Sequence, residues 1–388
     1  MKKWKWMAVL LGLALAFGIP TAQAEVQVKP IEHMRADFIK GADVSMLHDL
    51  EKNGAKFYDT DGQEMDNLAI MKKHGVNWIR LRVWNHPSQG GGAGAMNAKK
   101  AIVMTERAHA LGMKVLIDFH YSDTWADPSH QTPPLVWQKH DLAQLQQDVY
   151  DYTKETLERF ADEEQTPEMV QVGNEITNGM LWPAGQLPAK DDGKAFASLV
   201  EAGLHAVHDV DLADGRKDIR TMIHIDRGGD NKVSRGFFDQ LILRNGVNDF
   251  DVIGLSFYPF WNGRPAKLEA NMTDLAARYK KDVCVAETAY AFTLDNYDEQ
   301  GNNFTAKEAG MGGYSVSPQG QADAIRDVMQ AVADVPDGRG LGVFYWEPDW
   351  IVVPGCGAGG GWGNGWENLA MFDKNGKALE SWKVFEVK

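Results

Sequence analysis

Gly75-Val76-Asn77-Trp78-Ile79-Arg80-Leu81-Arg82-Val83-Trp84 is the stretch on which the fold turns. A glycine that stops a helical pattern is followed three residues later by alternating apolar and long polar side chains, which reads as a short joint and then a strand. Outward from here the same grammar returns. Gly112 closes the helical pattern Ala101, Met104, Ala108 and Leu111 just ahead of a run at 114–120. Leu142, Leu145, Val149 and Tyr152 mark a further buried helix face. Eight short stretches rich in β-branched and aromatic residues can be marked, at 38–45, 78–84, 114–120, 168–175, 220–226, 251–259, 282–288 and 340–348. Strand and helix alternate throughout, and eight such strands close a barrel, so the expected class is α/β, a single (β/α)8 TIM barrel.

The connections are unequal. Helix-to-strand joints are short, whereas 85–97, 121–140, 176–193, 288–317 and 349–376 are long and all follow strands. In a parallel barrel these gather at the C-terminal mouth, where barrel enzymes do chemistry. No Pro/Ser linker, charge run or internal repeat divides the chain, and the glycine-rich 355–365 reads as a mobile loop over the mouth.

Lys2, Lys3 and Lys5 precede an apolar run from Met7 to Phe17, then Gly18, Pro20 and the small-residue string Ala22-Gln23-Ala24. That pattern predicts a secretory leader over 1–24 with cleavage after Ala24, leaving a catalytic barrel over 25–388, exported to the periplasm or the medium. The apolar run is far shorter than the ~20 residues of a membrane span. Of 40 basic residues the leader removes three, leaving 37 against 54 acidic. Such a balance argues against nucleic-acid or anionic-membrane partners. A monomer is expected. Cys284 and Cys356, the only cysteines, are too few for a disulfide scaffold, and two free thiols are expected, with Cys284 facing the helix layer because it alternates with inward Val283, Val285 and Glu287.

Two glutamates end apolar strands: Val170-Gln171-Val172-Gly173-Asn174-Glu175 and Val283-Cys284-Val285-Ala286-Glu287. A charge there is costly unless used or paired. Glycoside cleavage needs one protonated and one ionised carboxyl, and two facing across a barrel mouth supply both. A rim ion pair is the plainer alternative for either glutamate alone. Spacing does not single out this pair, since Asp43, Asp118, Asp226 and Glu347 also lie near strand ends and a strand 4 with strand 8 pairing is conceivable.

Here a resemblance decides. Gly41-Ala42-Asp43-Val44-Ser45, the run from Gly75 to Trp84, Asp118-Phe119-His120-Tyr121-Ser122-Asp123, Gly173-Asn174-Glu175-Ile176 and Glu287-Thr288-Ala289-Tyr290 together resemble the arabinogalactan endo-β-1,4-galactanases, glycoside hydrolase family 53, over nearly all of the mature chain. That family belongs to a clan of retaining barrel glycosidases whose acid/base follows an asparagine at the end of strand 4 and whose nucleophile ends strand 7. The resemblance implies Glu175 as acid/base, Asn174 as a ligand of the sugar 2-hydroxyl and Glu287 as nucleophile. The expected substrate is β-1,4-galactan, the side chain of pectic type I arabinogalactan, with a mannanase or glucanase of the clan, or a non-catalytic polysaccharide-binding barrel, as alternatives. Arg82 and Tyr258 are placed to donate to Glu287, Arg82 having a rim salt bridge as its plainer reading.

His120 and His224 close strands 3 and 5 near Asp118 and Asp226. Strand-end His and carboxylate can converge on zinc, but donation to sugar hydroxyls or carboxylates is the simpler use, and packing remains open. Eleven tryptophans follow the leader, and nine (Trp84, Trp125, Trp137, Trp182, Trp261, Trp346, Trp350, Trp362 and Trp366) fall at strand ends or in the loops beyond them. Indole faces stack on the apolar CH faces of sugars, although any one may instead tie a loop down. Trp84 and Trp346 are the expected platforms, Trp346 for the sugar at the cleaved bond. No cofactor is needed for the chemistry. The loop 295–302 alternates oxygen-bearing side chains, which suits either a calcium or an ordinary solvated acidic loop. By the resemblance, Asn296, Asp298, Gln300 and Asn302 would supply the first part of a calcium site and Asn364 and Glu367 the second.

Overall fold

The computed structural model describes residues 25–87, 96–213, 219–358, 361 and 363–387, so the leader and Trp362 lie outside the described residues. Each of the eight marked stretches is a strand: β1 (Ile39–Asp43), β2 (Trp78–Val83), β3 (Lys114–Phe119), β4 (Met169–Val172), β5 (Arg220–Ile225), β6 (Val252–Ser256), β7 (Asp282–Thr288) and β8 (Gly340–Trp346). Every strand pairs in parallel with its sequence neighbours, and β8 pairs with β1 to close the barrel. Among the helices between them are α1 (Asn67–Lys73), α2 (Ala98–Ala110), α3 (Leu142–Asp162), α4 (Lys194–Ala213), α5 (Asn231–Phe238), α6 (Pro265–Tyr279) and α7 (Pro318–Ala333), and the short α8 (Lys383–Glu386) follows β8. No helix among the described residues is long and apolar enough to cross a membrane.

Local chemistry sets the helix ends. Asp66 accepts from Ala69 N at 2.9 Å to start α1, and Asp141 with Gln144 forms a reciprocal capping box at α3. Gly75 ends α1 at φ +98°, a left-handed conformation that glycine takes freely, and a Cβ there would lie 2.3 Å from Phe385 O on α8. Helices α1 and α8 also meet through Asp59, whose buried carboxylate accepts from His74 Nε2 at 2.7 Å, Thr60 N at 2.7 Å and Lys73 Nζ, while His74 Nδ1 bonds Glu386 at 2.6 Å.

Strand alternation divides the core in two. Ile79, Leu81, Val83, Val115, Ile117, Val170, Ile223, Ile253, Val283 and Val285 face the helices. Ile39, Trp78, Leu116, Met169, Met222, Val252, Cys284, Ala286, Leu341 and Phe344 plug the floor of the barrel. Cys284 therefore points inward, not toward the helix layer. The reason is a bulge: Leu255 pairs with Val285 but Ser256 pairs with Glu287, so β7 carries one extra residue and its alternation inverts before Glu287. Cys284 and Cys356 are buried free thiols.

Above the floor the inward side chains turn polar. Register places Asp43 beside Arg80, Arg82 beside Asp118 and Asp118 beside Gln171. The long connections lie beyond this layer. Those after β1 and β4 carry two-stranded hairpins, Phe57–Tyr58 with Glu64–Met65 and Gly179–Met180 with Gly185–Gln186. The described part of the glycine-rich segment folds over the mouth, where Ala358 helps line a cavity.

Candidate active site

The chain leaves β4 through Gly173 at φ +82° and Glu175 at φ +48°, a left-handed residue that must carry a side chain. Such a conformation costs about 1–2 kcal/mol and is held where the surroundings insist on it. Here it turns the Glu175 carboxyl into the mouth, opposite Glu287 from β7. A Glu175 oxygen, a Glu287 oxygen and a His224 nitrogen all lie within 4.8 Å of one another. Both glutamates line a cavity of about 240 Å³ with Arg82, His120, Asn174, Trp125, Trp346 and Trp366.

The two carboxyls have different neighbours. Glu287 is buried, with Arg80 Nη1 3.0 Å from Oε1 and the Tyr258 hydroxyl donating to Oε2 at 3.0 Å. Burial raises its pKa, and Arg80 opposes that rise. Glu175 is pushed well above the ordinary carboxyl value by burial, then by the Glu287 and Asp226 carboxylates, with Ser256 and the more distant Arg80 charge pulling the other way. The pair therefore shares its charge unequally. Glu175 holds the proton and Glu287 the negative charge.

A hydrogen-bond chain fixes which Glu175 oxygen is protonated. His224 Nδ1 has Gln171 Nε2 and Asn174 Oδ1 at 3.1 Å and Glu175 N at 3.4 Å; because the Ser256 hydroxyl donates onward to Glu175, the His224 nitrogen facing Ser256, Nε2, is the one that carries the ring proton. Nε2 then donates to Ser256 Oγ at 2.9 Å, and the Ser256 hydroxyl donates to Glu175 Oε1 at 2.5 Å. Burial and the nearby Arg80 charge hold His224 well below its ordinary value, which keeps it neutral as this assignment needs. Oε1 is an acceptor, leaving Oε2 to carry the proton.

Arg80 is the centre of the layer beneath. It is wholly buried and bonds Asp43 at 2.7 Å, Asp118 at 2.8 Å, Asn174 Oδ1 at 2.8 Å and Gln171 Oε1 at 3.2 Å, besides meeting Glu287. Gln171 ties Asp118 at 2.6 Å into the same network. Burial works against the charge of Asp43, yet Arg82 and Arg80 hold its pKa below the usual range.

Several expected residues stand elsewhere. Arg82 does not donate to Glu287; its guanidinium bonds Glu347, lies 3.7 Å from Asp43, and is stacked between Trp125 at 4.8 Å and Trp346 at 5.0 Å. Arg80, one pleat deeper, takes that role because the β7 bulge lowers Glu287 toward it. Glu347 is buried against Arg82 and does not line the cavity, so strands 4 and 7, not 4 and 8, supply the facing pair. Asp118 and His224 are fully buried and act through Arg80 and Ser256 without reaching the cavity. Trp84 packs behind Trp125 at 5.2 Å, 2 % exposed, and is no sugar platform. Trp346 does line the cavity, braced by Trp366 at 4.6 Å. Sequence reasoning missed Arg80, Gln171 and Ser256; inward parity with Arg82 and with Tyr258 was the available signal.

The metal readings meet a similar test. The atoms that converge in the mouth belong to Glu175, His224 and Glu287, not to Asp118, Asp226 and His120, and both His224 nitrogens already have protein partners. In the loop after β7, Asn296 Oδ1 accepts from Asp298 N, Asp298 accepts from Gln300 N and Asn364 N, and Glu367 Oε1 accepts from Tyr297 N. Asn364 bonds Trp350 O and Trp366 N, and Gln300 lines the catalytic cavity. Asn302 Oδ1 and Glu367 Oε2 are buried acceptors without a partner.

A closed barrel with a protonated and an ionised carboxyl facing across a tryptophan-lined mouth defines a glycoside hydrolase. Comparison with known proteins places it further: the model for Glycosyl hydrolase family 53 matches residues 39–385, and the chain belongs to that family. It is 39 % identical over 393 residues to a Bacillus subtilis protein named endo-beta-1,4-galactanase, covering 92 % of this chain and 88 % of that one. A Neosartorya fischeri protein named probable arabinogalactan endo-beta-1,4-galactanase A is 37 % identical, covering 80 % and 84 %. The Ignisphaera aggregans GH53 catalytic domain superposes with a TM-score of 0.87 at 42 % identity, covering 93 % and 98 %.

Proposed function

We propose that this protein hydrolyses β-1,4-galactan internally, by double displacement with net retention. The observation that carries the reading is the approach of the Glu175 and Glu287 oxygens within 4.8 Å, in the range of the roughly 5 Å that covalent catalysis needs and short of the roughly 6.5–9.5 Å that leaves room for a directly attacking water. Glu287 attacks the anomeric carbon while Glu175 Oε2 gives its proton to the departing glycosidic oxygen. The bond to the leaving chain breaks and a glycosyl–Glu287 ester forms. Loss of that proton turns Glu175 into the base that takes one from water, which displaces Glu287 and returns both groups to their starting states. Arg80 and Tyr258 keep Glu287 ionised and aimed; Trp346 offers a face beneath the reacting sugar, and Asn174 and His120 line its edge.

Galactan as substrate is supported by the family and by the names of the relatives. Reducing-end release from galactan, mannan and cellulose measured side by side tests it: release from galactan well above the other two is expected, and preference for mannan or cellulose overturns the assignment. Pectic type I arabinogalactan is the natural polymer bearing such chains. The leader read over 1–24 supports export, which N-terminal sequencing of secreted protein beginning at Glu25 would establish.

The chemistry runs on side chains alone. For calcium, Asn302 and Glu367, with the Asp298 carboxylate beside them, would hold the ion through the two unpartnered oxygens and tie the loops after β7 and β8 together. The other three expected ligands, Asn296, Gln300 and Asn364, are committed elsewhere or line the cavity, and the ion's role would be structural. A chelator should lower Tm before it lowers activity.

A further inference from the structure

The cavity at the catalytic pair is smaller than the roughly 300–1,000 Å³ of sites that enclose a whole ligand, so the polymer must continue onto the surrounding surface. Among the described residues, Trp261 is a large aromatic residue left open next to the lining residue Trp366. It is 50 % exposed, whereas Phe260 before it is fully buried. Exposure does not mean looseness here. Its ring lies 4.8 Å from Phe260, 5.2 Å from Tyr258 and 6.0 Å from Trp366, and its backbone N–H donates to Tyr258 O at 2.9 Å. Trp366 in turn lines the cavity and touches Trp346 at 4.6 Å. One aromatic wall thus runs from the platform under the cleaved sugar, through Trp366, to the open ring of Trp261.

The indole N–H supplies a second observation. Trp125, Trp182, Trp350 and Trp366 each donate theirs to a backbone carbonyl, at 3.3, 2.9, 2.9 and 3.3 Å. Trp261 Nε1 has no acceptor among the described residues, and the Trp84 and Trp382 N–H groups that share this are buried in the core, whereas Trp261 is half exposed. A rigid, half-open indole with a free donor offers both contacts a pyranose ring accepts, its apolar CH face and its hydroxyls.

Resting on the galactanase reading above, we propose that Trp261 is a distal sugar-binding platform, holding a galactosyl unit beyond the one at the cleaved bond and setting the length of chain the enzyme prefers. The test is a ladder of β-1,4-galacto-oligosaccharides from the disaccharide upward, together with galactan, hydrolysed by the native protein and by Trp261→Ala and Trp261→Phe. For the native protein KM should fall as the chain lengthens. In Trp261→Ala that fall should stop at a shorter chain, with KM for galactan about tenfold higher and kcat changed far less, while Trp261→Phe restores much of the length dependence. An unaltered length dependence in Trp261→Ala, or equal loss on every rung with no rescue by phenylalanine, overturns the proposal and leaves the galactanase reading standing. A native protein that cleaves no rung overturns both.

Discussion

Arg80 serves three carboxylates at once, and this shapes what single substitutions should do. Because its charge opposes the burial of Glu287, Arg80→Lys should raise the nucleophile's pKa, move the acidic limb of kcat/KM to higher pH and lower its maximum by about 10²–10³. A purely structural role would scale the pH profile without moving that limb. Ser256 acts in the same sense on the other carboxyl: its hydroxyl favours ionised Glu175, so Ser256→Ala should raise that pKa and carry the basic limb upward. Azide separates the two glutamates. With an activated aryl galactoside it should restore turnover to Glu175→Ala as a β-glycosyl azide and to Glu287→Ala as the α-anomer, and product analysis giving the reverse pair would exchange their roles. Both glutamates were legible from their places at strand ends and from the resemblance; Arg80 was not. Simple alternation nominated Arg82, and the single extra residue in β7 that shifts the geometry leaves no mark in the side-chain pattern.

At the scale of elements, the joints read most clearly were those fixed by local rules. Gly75 and Gly112 stop their helices at φ +98° and +65°, as expected from glycine followed by a strand. Long-range partners were not readable, because nothing near Asp59 in the sequence announces that α1 and α8 will meet over it. Hydrogen bonds from Lys73, His74 and Thr60 outweigh burial and bring the Asp59 pKa from 3.8 to about 2. The native state therefore binds fewer protons there than the unfolded chain, and this contribution to stability is full above 3.8 and lost as the pH falls through 2. Asp59→Asn should cost about 1–3 kcal/mol at neutral pH and flatten the acid side of a Tm-against-pH curve. A variant as stable as the native protein, with an unchanged curve, would remove Asp59 from the joint. Loops were the hardest to foresee: Trp84 and Trp346 both end strands, yet one is sealed behind Trp125 while the other lines the cavity, a difference set by how the long connections pack.

For the whole molecule, the division of labour is vertical. An apolar floor closes the barrel, a layer of hydrogen-bonded charge centred on Arg80 stands on it, and the reacting pair sits on top where the long loops converge. Barrel closure and loop placement could be read from eight strands and unequal connections, since both follow from periodicity and length; the charged middle layer needed three-dimensional register. This stack brings two acids to bear on one sugar from opposite sides, and the stereochemistry of the first product reports it directly. Proton NMR during early turnover of a galacto-oligosaccharide should show the β-anomer of the newly formed reducing end first, with the α-anomer rising later by mutarotation. An α-anomer appearing first would mean a single displacement by water and would contradict the account.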